Sequence, residues 1–168
     1  KSREPPIVKS RLCGRGYLDK QKNVVDRHSS TASRLSHRFA ISLGIQIDFA
    51  FRYIDINTAF LRGLKFREIE TKARDLGYEC ETIRSVWLRP PMNVWRHLEE
   101  QGFCTSIHYM NGAWLLMLLK AMYGLVDGPL LWQLALIRFL TRELFFQVSL
   151  HDSSFLYRCD SQRLVAVL

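Results

Sequence analysis

Apolar positions recur along this chain with two periods, one near four residues and one of two, and together they predict a mixture of helices and strands. Between Ser33 and Leu43 the residues Leu35, Phe39, Ala40 and Leu43 repeat at helical spacing, which predicts a helix ending at Gly44. Glu68 to Leu76 reads as a second helix. Leu131, Leu134, Ile137 and Leu140 form the buried stripe of a third, opened by Pro129 and running to Leu144. Strands are expected over Val8 to Cys13, over Ile47 to Ile56, in a short piece before Pro90 and Pro91, and from Ala113 to Leu119 before a turn at Gly124. The tail reads as two strands around a polar turn at Asp160 to Gln162. Residues 57 to 64 look like a turn or short helix, and no element is assigned between His97 and Asn111. The pattern is α+β, with no internal repeat.

The strand expected at Ile47 to Ile56 carries one anomaly. Asp55 shares its face with Phe49, Phe51 and Tyr53. A carboxylate on a face lined with aromatic rings must be hydrated at an edge, paired with a cation, or bound to a metal. A strand-end Asp beside the Ile56 carbonyl is able to hold Mg²⁺, but two-metal phosphoryl transfer needs at least one further carboxylate nearby.

Composition narrows the class. The 168 residues are 48% apolar, enough for one sizeable core. The longest apolar run lies between Gly112 and Lys120, far short of the roughly 20 residues that span a bilayer. Cysteines 13, 80, 104 and 159 form no paired pattern, and nothing at the start resembles a signal peptide, so an intracellular, reduced setting is expected. Cytoplasm and nucleus are equally compatible.

Charge is concentrated at one end. Residues 1 to 40 hold ten Lys or Arg against three acids, whereas residues 41 to 168 hold fourteen against thirteen. Such a field suits a phosphate backbone, because each neutralised phosphate releases counterions, and it equally suits a solvated basic arm. Lys9, Arg11 and Arg15 alternate with Leu12 and Tyr17 around two glycines, which favours a short basic strand and turn.

Other chemistries find little support in the spacing. His97, Cys104 and His108 match no usual zinc pattern. Gly14 and Gly16 lack the rest of a phosphate-loop or dinucleotide fingerprint. His28 beside Ser29 and Ser30 is weak evidence for a nucleophile and base.

Four ordered segments carry a stronger signal: "KSRLCGRGY" at 9 to 17, "IDINTAFLRG" at 54 to 63, "VWLRPP" at 86 to 91 and "LLKAMYGLVDGPLLW" at 118 to 132, followed by "HDSSFLYR" at 151 to 158. In these segments the chain resembles the reverse transcriptase domain of Ty1/copia-type retrotransposons. The resemblance implies a single partial domain over residues 1 to 168, with fingers, and an antiparallel palm sheet packed on helices, the thumb and later palm being absent. It implies that Asp55 binds catalytic Mg²⁺ in a complete parent enzyme and that Phe60 lies beneath the sugar of an incoming nucleotide. Lys9, Arg11 and Arg15 become triphosphate or template contacts. Ile56, Tyr123, Gly124, Asp127 and Pro129 fall on the nucleotide side of the cleft. For Tyr123, core packing remains an equal alternative.

Two departures qualify what the resemblance implies. The family commonly has Lys-Gln-Ala-Pro-Arg where this chain reads "VDGPL", so Val126 and Leu130 remove positive charge and Asp127 adds a negative one. An anion beside a triphosphate repels it unless a metal or a basic neighbour compensates. Family members also follow a strand like "RLVAVL" with a Tyr-Val-Asp-Asp turn bearing the other metal ligands, and the sequence stops before it. Asp152 and Asp160 are poor substitutes. The expected function is therefore that of an RNA-directed DNA polymerase piece, acting in its parent on RNA template, DNA primer and deoxynucleoside triphosphates, and inactive alone. The competing expectation is a decayed or repurposed fragment serving as a structural subunit, with protein partners, in a nucleoprotein assembly.

Overall fold

The structure, a computed structural model, describes residues 11–77, 83–102, 107–110, 113–160 and 164–168. One helix organises it. Helix α4, defined here as Gly128–Arg142, buries Leu130, Leu131, Leu134 and Leu140. Its first half closes a core with Leu64, Phe66, Ile69, Ala73, Ala121, Met122 and Leu125. Its last turns meet a second cluster, in which Leu140 packs with Phe146 and Leu156. Ile137, the remaining member of the expected stripe, is half-buried against that second cluster.

Helix α1, Arg34–Gln46, begins at Ser33, whose hydroxyl accepts the Ser36 N–H and supplies an N-cap. It runs past Gly44, the expected end, because Gly44 here serves close packing rather than termination. A Cβ at that position would collide with the Phe51 ring. Helix α2, Ile69–Arg74, places Ile69 and Ala73 in the core. Helix α3, Met92–Glu100, starts directly after Pro91 and occupies a stretch for which the pattern predicted no element. Its Val94, Trp95 and Leu98 are only half-buried, too few apolar positions to stand out from the sequence.

Two small antiparallel sheets complete the fold. In one, β3 (Ala113–Met117) lies between β1 (Trp87–Leu88) and β2 (Ile107–Met110), with Trp87 opposite Met117. In the other, β5 (Leu156–Cys159) lies between β4 (Gln147–Val148) and β6 (Leu164–Val167), with Tyr157 opposite Ala166. The chain is thus a mixed helix and sheet domain, with helices packed against small antiparallel sheets. Among the described residues no helix is long and apolar enough to cross a membrane.

One expected strand is absent. Ile47 to Ile56 is irregular backbone: the chain turns at Asp48 with φ 54°, and residues 51–56 join neither sheet. Tyr53 and Ile54 are 90% and 78% exposed. A strand is defined by its neighbour as well as its residues, and neither sheet offers this segment a ladder partner. The expected strand over Val8 to Cys13 lies partly outside the described residues; Arg11 to Cys13 is irregular.

Candidate nucleotide-binding face

A cationic loop, residues 11 to 21, crosses the turn that leads into α4. Gly14 donates its N–H to the Tyr123 carbonyl at 2.7 Å. Gly16 is buried, and a Cβ there would fall inside the envelope of the Gly124 carbonyl oxygen. Gly124 adopts φ +96°, and a Cβ on it would strike the Gly14 carbonyl. Glycine is required on both sides of the crossing, by contact at Gly16 and by contact and conformation at Gly124.

The crossing sets three side chains on one face. The Arg11 guanidinium lies 4.4 Å from the centre of the Tyr123 ring. Phe60, in the short 3₁₀ turn Ala59–Arg62, approaches the same ring at 5.4 Å and 55°. Phe60 also lies beside Gly128, where an added Cβ would meet the ring at ordinary van der Waals distance. Phe60 and Tyr123 are half-buried and Arg11 is exposed, so the cluster is open to solvent. Aromatic rings with an adjacent cation suit stacking on a nucleobase and pairing with its phosphate.

Beneath this face lies a buried ion triad. Arg84 donates from Nε to Asp127 Oδ2 at 2.6 Å and from Nη2 to Asp127 Oδ1 at 3.1 Å. Its Nη2 also donates to Asp19 Oδ2 at 2.6 Å, and its Nη1 donates to Gln21 Oε1 at 3.2 Å. The side chains of Arg84, Asp127 and Asp19 are 1%, 4% and 8% exposed. Burial works against the Arg84 charge, but hydrogen bonds and attraction from the two carboxylates outweigh it and raise the guanidinium pKa. Burial likewise works against the Asp19 anion; the Arg84 hydrogen bond and the Gln21 N–H overcome it and lower its pKa. Asp127, which the sequence left as an uncompensated anion, has its basic neighbour in Arg84. Sequence reasoning missed Arg84, Asp19 and Gln21; the one usable signal was that Asp127 needed a cation.

The remaining residues singled out from the sequence lie apart from this face or beside it. Asp55 and Ile56 are exposed on the irregular 51–56 segment. Arg15 is exposed within the cationic loop, and Lys9 lies outside the described residues. Pro129 is half-buried at the start of α4 and lines an open depression with Val25, Asp26, Arg27, His28 and Ser29. Ser30 is held by Gln133, which accepts its N–H at 3.0 Å and donates to its carbonyl at 3.1 Å. Asp152 accepts from the Ser33 N–H at 2.7 Å, the Ser154 N–H at 2.9 Å and the Ser36 hydroxyl, so it seals the start of α1. The Ser36 hydroxyl, with those N–H groups, holds the Asp152 pKa down at about 2. Among the described residues no group of three His, Cys, Asp or Glu is placed to hold a metal ion.

Comparison with protein families, with curated proteins and with solved structures gave no match.

Proposed function

We propose that this chain is a piece of a reverse-transcriptase-type polymerase whose Arg11, Phe60 and Tyr123 form a face for a nucleotide or a nucleic acid strand. The observation that carries this reading is convergence. Segments around residues 11, 60 and 123, which resemble the family only as separate strings, supply side chains within 4.4 to 5.4 Å of one ring. In a complete parent enzyme Asp55 would be one ligand for Mg²⁺, with further carboxylates that the described residues do not bring near it, and the reaction would be attack of a primer 3′-hydroxyl on the α-phosphate of a deoxynucleoside triphosphate with loss of pyrophosphate. On this chain Arg11 pairs with phosphate, Tyr123 and Phe60 stack on base or sugar, and Arg84 neutralises Asp127.

Two experiments test the reading. Labelled single-stranded DNA and RNA oligonucleotides should bind the chain with an affinity that falls as salt rises; no binding at low salt would contradict it. Primer extension by a parent chain carrying a Tyr-x-Asp-Asp turn should need Mg²⁺ and vanish in Asp55→Asn. A folded parent without Mg²⁺-dependent synthesis would refute polymerase function.

A second reading, a repurposed subunit of a nucleoprotein assembly, is favoured by exposed apolar surface. Leu35 and Ile45 of α1 are 76% and 72% exposed, and Tyr53 and Ile54 more so. Where such residues are contiguous, they mark a surface that another chain covers. In that reading the same nucleic acid face is retained and Asp55→Asn leaves assembly unchanged.

A further inference from the structure

The cationic loop is attached to the protein with almost no apolar packing. Its large apolar residues Leu12, Tyr17 and Leu18 are 46%, 65% and 63% exposed. Its attachment therefore rests largely on polar contacts, and among the described residues, besides the Arg11–Tyr123 contact itself, these fall at two places. One is the glycine crossing, a backbone hydrogen bond between Gly14 and Tyr123. The other is Arg84, whose single guanidinium holds Asp19 in the loop and Asp127 at the entry to α4. Gln21 completes the second attachment, accepting from the Ser85 N–H at 3.1 Å and donating to the Ile83 carbonyl at 2.9 Å. The irregular segment that carries Arg84, just before β1, is thereby tied to the loop on both sides of the guanidinium.

We propose that Arg84 is a positioning residue: the Asp19–Arg84–Asp127 triad latches the cationic loop onto the tyrosine turn and so fixes Arg11 over Tyr123. The planar fork matters here. Nε and Nη2 engage both oxygens of Asp127 while Nη2 also reaches Asp19, so the two carboxylates are held at a set separation that a lysine ammonium would not impose. The Phe66 ring, 5.4 Å from the guanidinium carbon, closes the remaining side and ties the latch to the core. The consequence for ligands rests on the nucleotide-binding reading above; the latch itself does not.

The test uses Asp19→Asn in the full chain, because this change opens the loop side of the latch while the Arg84–Asp127 pair remains. Amide hydrogen exchange followed by NMR should show the Gly14 N–H exchanging about tenfold faster or more, as expected for losing a charge-assisted hydrogen bond. The Leu134 amide inside α4 should be unchanged, and Asp19→Glu should recover part of the Gly14 protection. Unchanged Gly14 exchange, or parallel acceleration of Gly14 and Leu134, would overturn the proposal. A fluorescent oligothymidylate gives the second readout. Removing a negative charge would by itself tighten binding to nucleic acid, so weaker binding by Asp19→Asn reports the lost position of Arg11, and equal or tighter binding would overturn the positioning role. If the unaltered protein does not bind the oligonucleotide, the nucleotide reading fails, and the exchange comparison decides the latch alone.

Discussion

Arg84 closes a two-pronged hydrogen bond on Asp127, Nε to Oδ2 and Nη2 to Oδ1, with both side chains almost wholly removed from solvent. Asp127 taken alone opposes a phosphate-binding role for the turn it follows. Paired in this way it becomes structural, and its repulsion is reduced, although the triad of one guanidinium and two carboxylates keeps one net negative charge.

The first prediction concerns the cost of breaking that pair. Arg84→Met should destabilise the fold by about 3–5 kcal/mol, the range for stranding a buried charge, because both Asp19 and Asp127 lose their counterion. Adding Asp19→Asn and Asp127→Asn to the same chain should recover a substantial part of the loss. Urea denaturation of the three proteins checks this; equal stability of the single and triple variants would show that the charges are not what Arg84 balances.

The second prediction addresses the crossing. Gly124→Ala meets both a left-handed backbone and the Gly14 carbonyl, and should cost more than the roughly 1–2 kcal/mol of a left-handed Cβ alone. Gly77→Ala is the control, because Gly77 is also left-handed, with φ +76°, but a Cβ there meets nothing within 4 Å. Denaturation midpoints should place Gly124→Ala clearly below Gly77→Ala.

How far these features could be read from sequence differed by element. The stripe on α4 was legible because Leu131, Leu134 and Leu140 obey a local period that holds in any tertiary context. The segment from Ile47 to Ile56 misled because aromatic and branched residues signal a half-buried strand only when a neighbour exists, and Phe51 spends its ring on Gly44 instead. Contact between Tyr123 and Phe60 followed from no periodicity, since it joins two turns far apart in the chain. Arg84 was one of 24 basic residues, and nothing local distinguishes the one that folding buries.

The third prediction is a pH dependence. Hydrogen bonds to the Asp152 carboxylate lower its pKa from an ordinary 3.8 to about 2 in the folded chain. A lowered pKa means that the unfolded chain takes up the proton first as pH falls. The contribution is therefore complete above about pH 5, shrinks as pH falls from there toward 2, and is absent below both values. Stability measured across that window should fall less steeply in Asp152→Asn than in the unaltered protein; identical slopes would show that the carboxylate does not hold the start of α1.

The central claim is that the Tyr123 ring, with Arg11 above it and Phe60 beside it, forms a nucleotide-binding face. Its most direct test is the affinity of a fluorescent single-stranded oligonucleotide for the unaltered chain and for Tyr123→Ala, with folding verified by far-UV circular dichroism. Stacking on an aromatic side chain is worth about 1–3 kcal/mol per base, so the variant should bind roughly five- to more than a hundredfold more weakly. Equal affinities in the two folded proteins would contradict the account.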